Sequence, residues 1–186
     1  MARSMPDNSE SEPYRLAASA SHLLRRAEQL AADRFTQLVG ETVTLRQFTV
    51  LAAVAENPGL SQTALGRAAG VDRSTMGDMM LRMERNGWIT RAPASTDARM
   101  RSVRLSPAGA TLLAAATHHA RAADAAILDA LPRTKRRTFL NIVTKLAKLA
   151  DEAAERAERE ARKQAKKQKR AQKKEAKAEA PRKPRR

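Results

Sequence analysis

The sequence predicts a mainly α-helical fold with a small β-wing, a winged helix-turn-helix joined to a helical dimerisation region. Three observations carry that expectation. Residues 71–109 read in order as a helix, a short strand, a basic turn and a second strand. The segments on either side place Leu and Ala at helical spacing. Glycine and proline punctuate the joints, at Gly40, Pro58-Gly59, Gly70, Gly87 and Pro107.

From Tyr14 to Val39, Leu16, Ala20, Leu23, Ala27, Leu30, Phe35 and Leu38 fall near one stripe, which predicts a long amphipathic helix ended by Gly40. Thr44 caps a second helix with Phe48, Leu51, Ala52 and Ala55 facing inward, and Asn57-Pro58-Gly59 breaks it. Ser61 caps a short third helix through Ala69, closed by Gly70. Asp72 caps the fourth, in which Met76, Met80 and Met83 form a buried stripe and Arg73, Arg82 and Arg85 are left for other faces. Asn86-Gly87 supplies the left-handed residue that stops it. The third and fourth helices make the helix-turn-helix. Trp88 to Arg91 then reads as a strand, Ala94 to Met100 as a polar loop and Arg101 to Leu105 as an alternating strand, together a hairpin wing.

Pro107 sits in the first turn of an Ala-rich helix to Ala130, and Pro132 introduces another carrying Phe139, Ile142, Val143, Leu146, Leu149 and Ala153. Glu-first pairs at 152/156, 155/159 and 158/162 carry that helix into the 160s. From Lys163 the apolar content is Ala alone, which predicts a disordered or fraying basic tail. The expected organisation is a disordered start at 1–13, a helical dimerisation region at 14–43 and 107–160, a winged DNA-binding domain at 44–106 and a tail at 161–186. The apolar stripes of the first and last helices exceed what one small domain can cover, so a homodimer is expected.

Lys and Arg number 36 against 20 Asp and Glu, a net charge of +16, which points to a polyanionic partner. Residues 1–150 and 151–186 each contribute +8, so the folded part is basic in its own right. The absence of cysteine excludes disulfides and thiolate metal sites, and suits a reducing cytoplasm. No run reaches the roughly 18 apolar residues of a membrane span, and the polar start does not read as a signal peptide. Localisation in the cytoplasm is expected, with no membrane partner. His22, His118 and His119 are the only histidines, too few for a tetrahedral zinc site, and no metal or other cofactor is expected. No nucleophile–base set, phosphate loop or paired carboxylate stands in a plausible arrangement, so the chain does not read as an enzyme.

Asp97-x-Arg99 set ahead of Leu105-Ser106-x-x-Gly109, with Arg82-Met83-Glu84 and Arg91, resembles the MarR family of bacterial transcription regulators over residues 14–150. The resemblance implies a recognition helix in the major groove, a wing arginine in the minor groove and dimerisation through the first and last two helices. It implies that Arg99 is the minor-groove residue and that Asp97 orients the wing. Docking geometry adds Arg73, Ser74 and Thr75 in the first turn of the recognition helix, with Arg82 and Arg101, as contacts to DNA. Many relatives carry Thr-Arg in mid-helix where this chain has Gly77-Asp78. Asp78 either accepts from a cytosine N4 or has a structural or neutral part.

Two functions follow as expectations. One is a homodimeric regulator, usually a repressor, that binds a pseudo-palindromic double-stranded operator. The other is a nucleoid-associated architectural protein with little sequence preference. By resemblance, the regulator is released by a small aromatic or heteroaromatic acid or its thioester. The Leu23-Leu24-Arg25-Arg26-Ala27 stretch resembles members controlling catabolism of such acids, with a hydroxylated nicotinate one possibility. His22, Arg25, Arg26 and His118 are the candidate effector-binding residues, because an anionic ligand needs donors in an apolar wall.

Overall fold

The computed structural model describes residues 13–93 and 101–179, and within them six helices and one two-stranded sheet follow the expected order. The helices are α1 (Ala20–Val39), α2 (Leu45–Glu56), α3 (Gln62–Ala68), α4 (Arg73–Arg85), α5 (Pro107–Asp129) and α6 (Arg133–Glu179). The strands are β1 (Ile89–Pro93) and β2 (Arg101–Leu105). The greater part of the expected disordered start, the wing tip with Asp97 and Arg99, and residues 180–186 lie outside the described residues.

Five helices begin on a side-chain oxygen that accepts a backbone N–H otherwise left unpaired: Ser19, Thr44, Ser61, Asp72 and Ser106. At Thr44 the cap is reciprocal, since Gln47 accepts back from the Thr44 N–H at 2.9 Å. The first helix starts later than its apolar stripe suggests. A 3-10 turn at Leu16–Ala18 precedes it, and Ser19 is extended because its hydroxyl serves the N–H of His22 and takes a 2.6 Å hydrogen bond from the Tyr14 hydroxyl.

The chain divides into two units, one ending at Ala130 and the other beginning at Leu131. In the first, Val50, Leu51, Ala53 and Val54 of α2 meet Leu65 of α3, the α4 methionines, Ile89 and Val103 in one buried cluster. The inward face of α2 is therefore centred on Val50 and Val54, and Ala55, expected inside, is exposed. α1 packs on α5, where Phe35 is buried together with Ala116 and Ala120. The small alanines let the two helices approach closely. The rest of the α1 stripe stays outside: Leu23, Leu30 and Leu38 are 51%, 45% and 42% exposed.

Among its described residues, the second unit holds a single helix. It runs to Glu179, well past the point where the sequence predicts fraying. Alanine and the straight-chain Lys, Arg, Gln and Glu that fill its last third are all strong helix formers. Exposed Glu152–Arg156 and Glu155–Arg159 pairs at 3.6 and 3.9 Å reinforce its middle. Ile142, Leu146 and Leu149 line it as exposed apolar residues.

Candidate nucleic-acid interface

The turn between α3 and α4 is built by hydrogen bonds that terminate one helix and start the next within three residues. Gly70 takes a positive φ of 63°, so that its N–H and that of Val71 reach back to the carbonyls of Arg67 and Gly66. Asp72 follows at once, and its Oδ1 accepts from Ser74 N–H and Thr75 N–H, each at 3.0 Å. The Thr75 hydroxyl and N–H, with Ser74 N–H, hold the Asp72 carboxyl below the usual carboxylate range. The helix start is thus ionised and locked at neutral pH.

α4 has one buried side and one free side. Met76, Met79, Met80 and Met83 are buried, Met79 in addition to the three that the sequence stripe singles out. Opposite them, Ser74, Asp78, Leu81 and Arg85 recur at i, i+4, i+7 and i+11, and all four are exposed. Arg73 and Arg82, flanking this line, are also exposed, whereas Thr75 is half-buried and engaged with Asp72. Leu81 and Arg85 belong to this surface although the sequence reading left them out of the contact set. Their spacing from Ser74, opposite the methionines, was the available signal. Leu81 is 50% exposed, an apolar group on an otherwise polar exposed face of α4.

Gly77 is half-buried, and a Cβ there would meet only Gln62 Nε2 at 3.8 Å. Its side of the helix lies toward α3, so only Asp78 of the Gly77-Asp78 pair faces out. Arg46, exposed at the start of α2, hydrogen-bonds Glu28 at 2.5 Å. That bond and the charge of Glu28 raise its pKa, and the charge of Asp72 adds a smaller contribution. A further guanidinium therefore lies within the electrostatic reach of the α4 start.

The wing grows directly out of α4. Gly87, at φ 71°, and Trp88 return their N–H groups to Glu84 and Met83, and β1 follows. β1 pairs antiparallel with β2, Ile89 opposite Leu105 and Pro93 opposite Arg101. On its other edge β2 bonds the segment after α2, with Gly59 N–H to Val103 O at 2.9 Å, Val103 N–H to Leu60 O at 3.2 Å and a bridge between Ser61 and Ser102. Arg91 is a strut. Its guanidinium donates to Glu84 of α4, with Nε to Oε2 at 2.9 Å, and this bond raises its pKa. Thr90 and Arg104, paired across the strands, face solvent. Arg101 opens β2 at the tip end of the hairpin.

Ser106 fastens the wing to α5. Its hydroxyl donates to Gly87 O and accepts from Gly109 N–H, and its own N–H bonds Trp88 O at 3.0 Å. Gly109 packs so closely on Trp88 that a Cβ would lie 1.9 Å from its carbonyl oxygen. The Leu105-Ser106-x-x-Gly109 motif is thus a clasp between the end of α4 and α5.

Of the candidate effector residues, His22, half-buried, lies on α1 with the exposed Arg25 and Arg26, and the exposed His118 lies on α5. The two helices pack together, and His118 makes an edge contact with His119 at 5.5 Å between ring centres. Among the described residues no helix is long and apolar enough to cross a membrane.

A family model for the MarR family matches residues 43–100. The chain is 32% identical over 131 residues to transcriptional regulator HosA of Escherichia coli, an alignment covering 70% of this chain and 96% of that protein. The PcaV transcriptional regulator from Streptomyces coelicolor, in complex with its natural ligand, superposes with a TM-score of 0.68 at 27% identity, covering 75% of this chain and 99% of that one. The Mycobacterium tuberculosis MarR family protein Rv2887, in complex with salicylic acid, superposes with a TM-score of 0.55 at 28% identity, covering 69% and 96%.

Proposed function

Since the chain belongs to the MarR family of transcriptional regulators, we propose that it is a homodimeric repressor whose α4 helices read a pseudo-palindromic operator and whose grip is released by an aromatic acid. The observation that carries this reading is the free face of α4, a line of exposed Ser74, Asp78, Leu81 and Arg85 flanked by Arg73 and Arg82 on a helix locked at both ends. Such a helix enters the major groove with its first turn at the base edges. Ser74 and Arg73 donate there to bases or phosphates, Leu81 meets a thymine methyl, and Arg82 and Arg85 meet the backbone. Asp78 accepts from a cytosine N4 or stays neutral to binding. Arg99, oriented by Asp97, enters the neighbouring minor groove, and Arg101 supports it from the tip end of β2. On this reading the chain is not an enzyme and works in the cytoplasm.

Two protomers present their recognition helices about one helical turn apart, roughly 34–36 Å, only if the dimer is rigid. The exposed leucines of α1 and the apolar line of α6 support a dimer built on these helices. The effector is a small aromatic or heteroaromatic carboxylate or its thioester, a hydroxylated nicotinate among the candidates. Support comes from salicylic acid bound to the Rv2887 relative. Arg25, Arg26, His22 and His118 supply the donors for the carboxylate. A ligand that shifts α5 also shifts α4, because Ser106 and Gly109 clasp the end of one to the start of the other. Selecting duplexes from a random library tests the reading. A repressor enriches an inverted repeat and releases it with an aromatic acid, whereas an architectural protein enriches nothing.

A further inference from the structure

The sequence of the last third of α6 places its basic residues on one side of the helical register. In the register of a helix at 100° per residue, positions 162, 163, 166, 167, 169, 170, 173, 174 and 177, all Lys or Arg, fall within an arc of about 160°. The remaining positions from 161 to 179 are Ala, Gln and Glu only. Lys163, Lys166 and Lys167 are exposed. Upstream, residues 151–160 hold five acidic groups against Arg156 and Arg159. A stretch of repulsive charge thus separates the basic stripe from the apolar part of the helix. The stripe from 162 to 177 is about 22 Å long at 1.5 Å per residue.

We propose that residues 162–177 of α6 form a helical arm that lies along the sugar–phosphate backbone of double-stranded DNA and raises affinity without reading sequence. The proposal rests on the DNA-binding function above and adds a second contact to it. A helix with its basic residues on one side of the register can follow the regular row of phosphates on a duplex, and each contact releases condensed counterions. The opposite face has no large apolar side chain to insert into a bilayer, and the segment has no aromatic group to stack on single-stranded bases. Duplex DNA is therefore the polyanion that this arm fits.

Two full-length variants test the arm. K163Q/K166Q/K167Q/K173Q/K174Q removes charge, and K163Q/Q164K/K167Q/Q168K/Q172K/K173Q keeps composition and net charge while scattering the cations around the helix. The probes are a random-sequence DNA duplex, a duplex selected from a random library, double-stranded RNA and anionic phosphatidylserine vesicles. At about 0.15 M salt the charge-removed variant binds both DNA duplexes about tenfold or more weakly, with a salt dependence flatter by up to about 0.9 log unit per lysine, and the preference for the selected duplex survives. The register-swapped variant loses a large part of the same affinity. Equal affinity and slope for the parent and the register-swapped variant would overturn the helical stripe. A larger loss on vesicles or RNA than on DNA would overturn the choice of partner. Loss of preference for the selected duplex would overturn the separation of arm from reader. A parent that binds no duplex would instead overturn the DNA-binding function itself.

Discussion

Replacing Gly109 by alanine tests the clasp between the end of α4 and the start of α5. The new Cβ would stand 1.9 Å from Trp88 O, 2.8 Å from its carbonyl carbon and 3.1 Å from its Cα, all backbone atoms that no rotamer change can move aside. A carbon and a carbonyl oxygen tolerate about 3.3 Å, so α5 must retreat by about 1.4 Å. That retreat stretches the Ser106 hydrogen bonds to Gly87 O and Trp88 O. Overpacking of this kind costs about 1–3 kcal/mol, and two weakened hydrogen bonds add about 0.5–1.5 kcal/mol each. Alanine returns about 1 kcal/mol of helix propensity. The net is about 3 kcal/mol, or roughly 6–12 °C in melting temperature for a chain of this size. Gly77→Ala is the control, because its Cβ meets only Gln62 Nε2 at 3.8 Å in a helical backbone. It should gain up to about 1 kcal/mol. Both are read by urea and thermal unfolding at one fixed protomer concentration. A Gly109→Ala protein as stable as the parent would refute the close approach as a structural requirement.

Three further outcomes follow from the same geometry. Asp72→Asn keeps an acceptor at the cap but cannot ionise. Because the Asp72 carboxyl is held below its ordinary value, its contribution is present above the unfolded carboxylate range and lost as pH falls through the lowered folded value. The parent's advantage in melting temperature over Asp72→Asn should therefore be largest near neutral pH and vanish in acid, and an advantage that grows in acid would reverse the sign. Leu81→Ala should weaken binding to the selected operator with little effect on random duplex, and replacing thymine by deoxyuridine in the operator should reproduce the loss. An operator indifferent to both changes would remove Leu81 from the readout. Leu23→Glu with Leu30→Glu on α1 should give a monomeric mass by light scattering while circular dichroism keeps its helical signal, and a retained dimer would exclude this face.

Local chemistry made most of the fold legible. Asp72, Ser61, Thr44 and Pro107 marked helix starts because capping and proline geometry act within one turn, and Gly70 and Gly87 marked ends through their positive φ. Contacts distant in sequence were not legible. The motif glycine at 109 could be seen, but its need for Trp88 lies 21 residues away and appears only when α5 meets the end of α4. The α2 face was misjudged by one position, since a run of Val and Ala is apolar on every side and only the α3, α5 and β2 neighbours decide which part is covered. The length of α6 was underestimated because the lack of apolar burial was weighed above the helix propensity of Ala, Lys, Gln and Glu. On α4, Arg73, Arg82 and Ser74 were singled out from their residue types, whereas Arg85 was left out, and the structure places all four on exposed positions. Leu81 was passed over because an exposed leucine is ordinary until its place opposite the methionines is known.

The most direct test of the account is the ratio of affinities for the selected operator and a random duplex, measured for the parent and for Arg73→Ala with Ser74→Ala. The parent should prefer its operator by about 10³ or more, and the double variant should lose most of that preference while its dimer mass and melting temperature stay close to the parent's. A parent without preference, or a variant that keeps it in full, would contradict the assignment of sequence reading to the first turn of α4.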